Sequence, residues 1–384
     1  MNLKPFYDRR PTLIKYPGGK HKELKYILPE LPHDSKRFFE PFVGGGAVYF
    51  NVNAEYYFIN DKSQELMDFY DLVAQQDHEF INRLEKINDY WKKIGLLVDK
   101  YITELVDLYE SSKTNKQRER DYIFDFIINH SKEFNGLLSP DFNVELVKFT
   151  TQISETLSNK FSRMKSLEMK KGTLTDEDLK KNILSSMKAA LYTHFRYLYN
   201  HSEALKLSKS FKIALYYFIR EFCYSSMFRY NANGEFNVPF GGISYAKKAL
   251  DIKLNRLKSS EIISQLNKTQ KEAMDFEEFL NEHPPNSDDF IFVDPPYDTS
   301  FSTYAKNTFD KNDQERLANF LINKTKAKFM IVIKNTDFIK SIYPEDQVCA
   351  NGNPIKIIPF NKKYFVSFQN RNNKNAEHLI IKNY

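Results

Sequence analysis

Four consecutive residues, Asp294-Pro295-Pro296-Tyr297, join a carboxylate to a phenol ring directly after an apolar run, Phe290 to Val293. The run is typical of a buried strand, and the strand must end there because each proline fixes φ and lacks an N–H donor. In open α/β sheets, ligands bind at the carboxyl ends of the strands. The carboxylate could accept hydrogen bonds from such a ligand, and the ring could stack on it. The alternative interpretation is a proline-rich turn with Asp as a turn former.

A second motif places Glu40 at the end of an apolar strand and a glycine triplet, Gly44 to Gly46, shortly after it. Glycines there let the backbone approach a ligand, and the pattern predicts a helix that begins at the triplet and directs its N-terminus at that ligand. The spacing differs from the GxGxxG fingerprint for pyrophosphate. Glu40 would repel a pyrophosphate but favour a ligand that carries an ammonium or sulfonium group.

Two further acids follow predicted strands or precede predicted helices. Asp61 follows the strand Tyr56 to Ile59, at close to the interval of about 20 residues after the glycines at which an acid reaches ribose hydroxyls. A helix N-cap is the alternative role for Asp61, and both roles are compatible. Asp275 and Phe276 could hold an adenine, the first by a hydrogen bond and the second by contact with its ring face.

Near the N-terminus, Pro17-Gly18-Gly19 predicts a tight turn between Tyr16 and Lys20. Such a turn can bring backbone N–H groups and a cation close to a carboxylate-bearing ligand. An ordinary Pro-Gly turn without a ligand is the alternative.

The overall composition is that of a globular protein. The 384 residues lack an apolar run of about 18 residues, so no membrane span is expected, and the start of the chain shows no signal peptide, which predicts a cytoplasmic location. Cys223 and Cys349 lie far apart, which argues against a disulfide framework and a zinc site, and no metal is expected. The net charge of +6 permits nucleic-acid binding without requiring it.

Helix-period sequence dominates from about Lys62 to Tyr217 and predicts a helical insertion in an α/β core. We place the core at residues 1–62 and 245–384 and the insertion at 63–244. After the helical stretch, Arg, Asn, Gly and aromatic residues alternate from Arg229 to Gly241, a composition suited to contacts with bases and phosphates. A basic loop with Arg371 and Lys374 could meet a phosphate, or could be the tip of a solvated hairpin.

Acids for a nucleoside, a carboxylate for a cationic group and the Asp294 tetrapeptide together suit methyl transfer from S-adenosyl-L-methionine to a planar exocyclic amine. Such an amine is a weak nucleophile because its lone pair is conjugated with the ring. Asp294 and a proline-constrained carbonyl could accept its two hydrogens and draw the nitrogen toward sp³, while Tyr297 stacks on the base.

The chain resembles the Dam-type DNA adenine-N6 methyltransferases of the D12 class, α group. The resemblance rests on Lys15 to Lys20, Phe39 to Gly46, Asn60-Asp61, the block Arg229 to Gly241 and the tetrapeptide Asp294 to Tyr297, in the order of the α group. It implies a Rossmann-like S-adenosylmethionine-dependent methyltransferase fold with a mainly helical inserted target-recognition domain. It also implies the methylation of N6 of an adenine that is flipped out of double-stranded DNA at a specific site.

The predicted catalytic residues are Asp294, Pro295, Pro296 and Tyr297. The predicted cofactor-binding residues are Tyr16, Lys20, Glu40, Pro41, Phe42, Gly44, Gly46, Asp61, Asp275, Phe276 and Asp294. The predicted DNA-binding residues are Arg229, Asn231, Asn237, Tyr304, Arg371 and Lys374. A solitary role and a pairing with a restriction endonuclease for the same site both stay open. So do methylation of RNA or of a protein amide, disfavoured because Asn more often replaces Asp294 in such enzymes, and nucleic-acid binding without catalysis.

Overall fold

A computed structural model describes residues 9–33, 35–114, 119–142, 144–296, 309–363 and 375–384. The chain forms two compact units: unit 1 is Met1–Gln76 with Leu257–Tyr384, and unit 2 is Asp77–Arg256. The boundaries predicted from the sequence lie earlier, so residues 63–76 belong to unit 1 and residues 245–256 to unit 2. In the described part of the chain, no helix has the length and apolar character needed to cross a membrane.

Unit 1 is built on a sheet of seven strands. The strands are β1 (Arg37–Glu40), β2 (Tyr56–Asn60), β3 (Thr269–Glu272), β4 (Phe290–Val293), β5 (Lys328–Lys334), β6 (Lys356–Lys363) and β7 (Asn375–Lys382). Their order is β3-β2-β1-β4-β5-β7-β6. Strands β1 to β5 are parallel, whereas β7 runs antiparallel to both β5 and β6.

The strand order reverses between β1 and β4. From β1 the chain proceeds to β2 on one side, and from β4 it proceeds to β5 on the other. Ligands of open α/β sheets bind at such a reversal, beyond the carboxyl ends of the strands. The predicted β4 has the bounds that the structure shows, and all four of its residues are buried, as in strands covered on both faces.

The α-helices of unit 1 that the structure describes lie before and between these strands along the chain. They are α1 (Leu24–Ile27), α2 (Gln64–Ala74), and, after the helices of unit 2, α12 (Ser260–Asn267), α13 (Phe276–Glu282), α14 (Lys311–Asn319) and α15 (Asp337–Ile342). The expected helix directly after the glycine triplet is wrong. Gly44 and Gly46 have φ of +47° and +70°, and the chain turns into a short 3₁₀ helix, Tyr49–Asn51, in place of an α-helix.

Unit 2 is helical, as the periodicity predicts. Its helices are α3 (His78–Lys100), α4 (Ile102–Thr114), α5 (Glu119–Asn129), α6 (Ser131–Asn135), α7 (Leu146–Lys171), α8 (Asp176–Asn200), α9 (Lys209–Phe222), α10 (Ile243–Ala246) and α11 (Asp251–Leu257), whose last residue already belongs to unit 1. The sequence from Ala246 to Leu257 has a helical pattern that predicts one helix, but the chain forms α10 and α11 with a break between them. The apolar run Tyr364 to Phe368, which predicts a strand, lies outside the described residues.

Candidate active site

The loop after β1 carries the glycine triplet and is covered by the ring of Tyr16. A Cβ atom on Gly44 would lie 2.8 Å from Tyr16 Cδ1, and one on Gly45 would lie 2.9 Å from the carbonyl oxygen of Ile14. The triplet therefore permits both the left-handed backbone and the close approach of the N-terminal segment. Because a short 3₁₀ helix and not an α-helix follows, the loop's own backbone, and not an α-helix N-terminus, lies at the carboxyl edge of the sheet.

Glu40, the last residue of β1, is a buried acid with hydrogen-bonding capacity that is not used. Its side chain is 3% exposed. Within the described residues, its Oε2 has no hydrogen-bond partner. Burial, and then the nearby charge of Asp294, raise the pKa of Glu40 well above its ordinary value. A buried acceptor of this kind fits a cationic group of a ligand.

Asp61 follows β2 and receives three donors. Its Oδ1 accepts from the Tyr16 hydroxyl at 3.1 Å and from the Ser63 N–H at 3.0 Å, and its Oδ2 accepts from the Gly44 N–H at 3.2 Å. Burial raises the pKa of Asp61, and these three hydrogen bonds oppose the shift. The N-cap of α2 is Ser63, whose side chain accepts from the Leu66 N–H. Asp61 therefore ties the Tyr16 segment and the glycine loop to the end of β2.

Asp294 follows β4 and forms an ion pair with Lys20. The Lys20 ammonium donates to Asp294 Oδ1 and, at 3.3 Å, to the carbonyl oxygen of Gly18. Lys20 is 2% exposed and Asp294 is 19% exposed, so the pair is largely desolvated. Lys20 was predicted to bind the cofactor. The structure places its charged end on the carboxylate of the predicted catalytic tetrapeptide.

The two prolines leave the sheet with the carbonyl of Pro296 held in place. Pro295 is buried and Pro296 is exposed, and Gln314 Nε2 of α14 donates to Pro296 O at 2.8 Å. Gln314 is fully buried, and among the residues that the structure describes its Oε1 has no partner. Gln314 was not predicted as a site residue, because nothing in a polar helix start indicates a contact with a loop 18 residues earlier.

Asp275 and Phe276 begin α13 just after β3, at the same edge of the sheet. The Asp275 carboxylate caps the helix by accepting from the Glu277 N–H at 3.0 Å, and it pairs with Arg316 at 2.6 Å. Although burial opposes the shift, these contacts lower the pKa of Asp275. The Phe276 ring is 1% exposed and packs between Phe42 and Phe309, at centroid distances of 5.6 and 5.9 Å. Contact of these residues with an adenine stays a prediction.

The structure therefore brings most of the predicted cofactor and catalytic residues to one edge of the sheet in unit 1. Tyr297 and Tyr304, and the basic pair Arg371 and Lys374, lie outside the described residues. No three His, Cys, Asp or Glu side chains of the described ranges lie close enough together to hold a metal ion.

Unit 2 holds the Arg229 block in a hairpin between α9 and α10. Cys223 bridges Phe240, and Tyr230 bridges Phe236, in antiparallel pairing. At the tip, the Asn231 side chain accepts from the N–H groups of Asn233 and Glu235 at 3.1 and 2.9 Å. The exposed side chain of Arg229 lies along the hairpin.

Two contacts fix Arg229 and the hairpin's second strand. Arg229 Nε donates to Asn237 Oδ1 at 2.8 Å, and its guanidinium also donates to the Asn237 carbonyl at 3.0 Å. Behind them, Tyr192 and Arg196 of α8 both donate to the Val238 carbonyl oxygen at 2.9 Å. The hairpin thus presents an exposed cation whose side chain is held by contacts within the hairpin.

Comparison with known proteins identifies relatives across most of the chain. The sequence profile of the family described as D12 class N6 adenine-specific DNA methyltransferase matches residues 16–139 and 126–356. The chain is 26% identical over 375 residues to the type II methyltransferase M.CviBI of Paramecium bursaria Chlorella virus NC1A, covering 97% of this chain and 99% of that protein.

Two further relatives come from an archaeon and a bacterium. The type II methyltransferase M.MjaIII of Methanocaldococcus jannaschii is 26% identical over 360 residues, with 89% of each chain covered. The DNA adenine methylase of Haemophilus influenzae is 23% identical over 353 residues, which cover 89% of this chain and 85% of that protein.

Proposed function

The chain belongs to the D12 class N6 adenine-specific DNA methyltransferases, and from this premise we propose that it transfers a methyl group from S-adenosyl-L-methionine to N6 of an adenine flipped out of duplex DNA at a specific site. The observation that carries the proposal is the buried Glu40 carboxylate, whose Oε2 has no partner among the described residues, at the edge that also carries the Lys20–Asp294 pair.

The residues at this edge fit the cofactor by their donor and acceptor chemistry. Glu40 supplies an anionic acceptor for a cationic group, and Asp61 supplies an acceptor at the end of the neighbouring strand. Pro41 and Phe42 directly follow Glu40 in the chain. Gly44 and Gly46 have positive φ and allow Tyr16 and Phe50 to pack against the loop, where any side chain would collide with these rings. When bound, the cofactor supplies an electrophilic methyl group.

Asp294 and the two prolines bind and orient the amine that accepts the methyl group. Lys20 holds Asp294 Oδ1, which orients the carboxylate toward an incoming amine. As N6 takes the methyl group and the S–CH₃ bond of the sulfonium breaks to leave a neutral thioether, N6 would become more positive. The preorganised Asp294 carboxylate would stabilise that charge, and the proton lost from N6 would pass to solvent. Gln314 holds the Pro296 carbonyl and so stiffens the backbone at the tetrapeptide. Stacking of the flipped adenine on Tyr297 completes the proposed site.

We assign target recognition to unit 2, with Arg229, Asn231 and Asn237 as its DNA contacts, and phosphate contacts to Tyr304, Arg371 and Lys374. The catalytic unit takes the role of a Rossmann-like methyltransferase domain, which its mainly parallel sheet and strand reversal support. Two relatives are named as type II methyltransferases, so a cognate restriction endonuclease is the proposed partner. A cytoplasmic location is part of the same proposal.

The function is tested by methylation of DNA that lacks methyladenine. Wild-type protein and Asp294→Ala are incubated with S-adenosyl-L-methionine carrying a labelled methyl group and with duplex DNA or RNA, and the nucleosides are separated by mass. We expect label only in N6-methyldeoxyadenosine, and only with wild-type protein. Label in RNA, in cytosine, or in DNA treated with Asp294→Ala would contradict the proposal, and sequencing of the methylated DNA identifies the site.

A further inference from the structure

Asn60, the last residue of β2, has a fully engaged side chain in the interior of unit 1. It is 1% exposed. Its Nδ2 donates to the carbonyl oxygens of Pro41 at 3.0 Å and Met274 at 3.1 Å, and its Oδ1 accepts from the Met274 N–H at 3.0 Å. Its backbone carbonyl oxygen accepts from the Val43 N–H at 2.9 Å. Both amide donors are therefore in use.

These bonds connect the ends of β1, β2 and β3 beyond the last residues that pair in the sheet. The pairing of β1 with β2 ends at Glu40 and Ile59, and the pairing of β2 with β3 ends at Asn60 and Glu272. Strands β1 and β3 are not neighbours, since β2 lies between them. Beyond the last pairs, the Asn60 amide links the loop after β1 directly to the segment after β3.

Each linked segment carries one acid of the proposed cofactor site. Pro41 follows Glu40, Met274 precedes Asp275, and Asn60 itself precedes Asp61. We propose that Asn60 is a positioning residue for the cofactor, which sets the spacing of Glu40, Asp61 and Asp275 without touching the ligand. The inference rests on the proposed function, because S-adenosyl-L-methionine is the ligand assigned to these acids.

Two substitutions change the linkage in different ways. Asn60→Ala leaves the Pro41 carbonyl and both polar groups of Met274 without a side-chain partner. Asn60→Asp keeps the volume and the acceptor for the Met274 N–H, but a carboxylate cannot donate to the two carbonyl oxygens and repels them. A protonated carboxyl regains one donor, so the linkage of Asn60→Asp should recover as the pH falls.

Asn383 provides a matched control in the same unit. It is fully buried, accepts from the Phe329 N–H at 2.8 Å and donates to the Ala327 carbonyl oxygen at 3.1 Å. These partners lie at the start of β5, at the amino edge of the sheet and away from the predicted site. Asn383→Ala and Asn383→Asp therefore remove the same type of contact without affecting the loops at the carboxyl edge.

The experiment measures the Kd of S-adenosyl-L-methionine for the full chain by calorimetry between pH 6 and pH 8.5, with the thermal midpoint of each variant. We expect all four variants to unfold at lower temperature. The Asn383 variants should bind like wild type. Asn60→Ala should bind about 10- to 100-fold more weakly, as expected when groups of a site are displaced by about 1 Å. Asn60→Asp should be weak at pH 8.5 and approach wild type toward pH 6.

The outcomes separate this inference from the proposed function. Asn60 variants that bind within twofold of wild type at every pH would overturn the positioning role while leaving the function intact. So would a failure of both Asn60 variants to fold when the Asn383 variants fold, because Asn60 would then serve stability. If only Asn60→Ala fails to fold, the affinity of Asn60→Asp relative to wild type decides. A wild-type chain that does not bind S-adenosyl-L-methionine overturns both.

Discussion

Replacing Glu40 with glutamine should stabilise unit 1 at neutral pH and weaken cofactor binding. The pKa of Glu40 is raised, first by burial and second by the charge of Asp294. An acid whose pKa is higher in the folded protein than in the unfolded chain makes folding less favourable as the pH rises between the two values. Glutamine has the same shape and no charge, so it removes this penalty together with the anionic acceptor.

The size of the stabilisation follows from the linkage between protonation and folding. An unfolded Glu ionises at its ordinary pKa of 4.5. Because the pKa of Glu40 is raised in the folded protein, the wild type loses about 1.4 kcal/mol of stability for each pH unit above 4.5 until the folded pKa is reached. The new amide N–H group takes the place of Oε2 and costs about 1–3 kcal/mol if it finds no acceptor. Glu40→Gln should thus be about 1–3 kcal/mol less stable than wild type at pH 4.5, and its stability relative to wild type should rise with pH and exceed it at pH 7.5, with each kcal/mol worth about 2–4 °C in Tm.

The stability measurement must follow unit 1. The single tryptophan, Trp91, lies in unit 2, so its fluorescence does not report on the sheet. Hydrogen exchange of peptides that contain β1 and β4, measured at pH 5 and 7.5, reports on the stability of the sheet directly. The matched control is Asp289, which is equally buried but bonded to Arg37 Nε at 3.0 Å and to its terminal nitrogen at 2.6 Å. Asp289→Asn should lose about 1–3 kcal/mol.

Calorimetry of cofactor binding completes the test. A cationic ligand that favours ionised Glu40 should release protons from the wild type, so the observed heat at pH 7.5 should depend on the ionisation enthalpy of the buffer. Glu40→Gln should release fewer protons and bind at least about 10-fold more weakly. A Glu40→Gln protein that is destabilised equally at both pH values, or binds the cofactor like wild type, would refute this reasoning.

Three further predictions concern neighbouring groups. Lys20→Met should reduce the single-turnover rate of methyl transfer by about 10²–10³ and change the cofactor Kd little, because the Lys20 ammonium contacts Asp294. A large rise in the Kd without a change in the rate would instead support the predicted role of Lys20 in cofactor binding. Asp61→Ala should weaken cofactor binding in calorimetry more than DNA binding, and an unchanged cofactor Kd would leave Asp61 a purely structural tie between Tyr16 and Gly44. Arg229→Ala should cost about 1–3 kcal/mol on the cognate duplex and little on random DNA in binding titrations; equal losses would make Arg229 a phosphate contact.

Local sequence patterns were sufficient to predict the strands that bring the acids to one edge of the sheet. The run Phe290 to Val293 is apolar throughout and stopped by two prolines, so both its burial and its end could be predicted. The helix after the glycine triplet could not, because tertiary contacts decide that segment. The Asn51 side chain accepts a hydrogen bond from the Arg10 N–H and donates to the carbonyl oxygens of Arg10 and Ala47. These bonds stabilise a 3₁₀ turn in place of an α-helix.

The pairings within the site could not be predicted from local patterns either. Lys20 and Asp294 are 274 residues apart, and Asn60 and Met274 are 214 apart. Periodicity and motif spacing place each residue at the end of an element but do not show which partner its side chain meets. Lys20 shows this limit, because the motif predicts a cation near a ligand, whereas only the fold shows that its ammonium group contacts the Asp294 carboxylate. Its contact with the cofactor stays a prediction.

The two buried acids at opposite ends of the central strands show why the carboxyl edge is best explained by function. At the amino edge, Asp289 is saturated by Arg37 and by the Asn286 N–H, as stability requires. At the carboxyl edge, burial and then the nearby charge of Asp294 raise the pKa of Glu40, and the Lys20 cation, which is paired with Asp294, offsets this shift only in part. Such an arrangement lowers the stability of the free protein, and natural sequences depart from local consistency in this way mainly at functional sites. A cationic ligand at Glu40 would stabilise the ionised carboxylate, so the same feature that weakens the free fold would favour binding of the sulfonium cofactor that we propose.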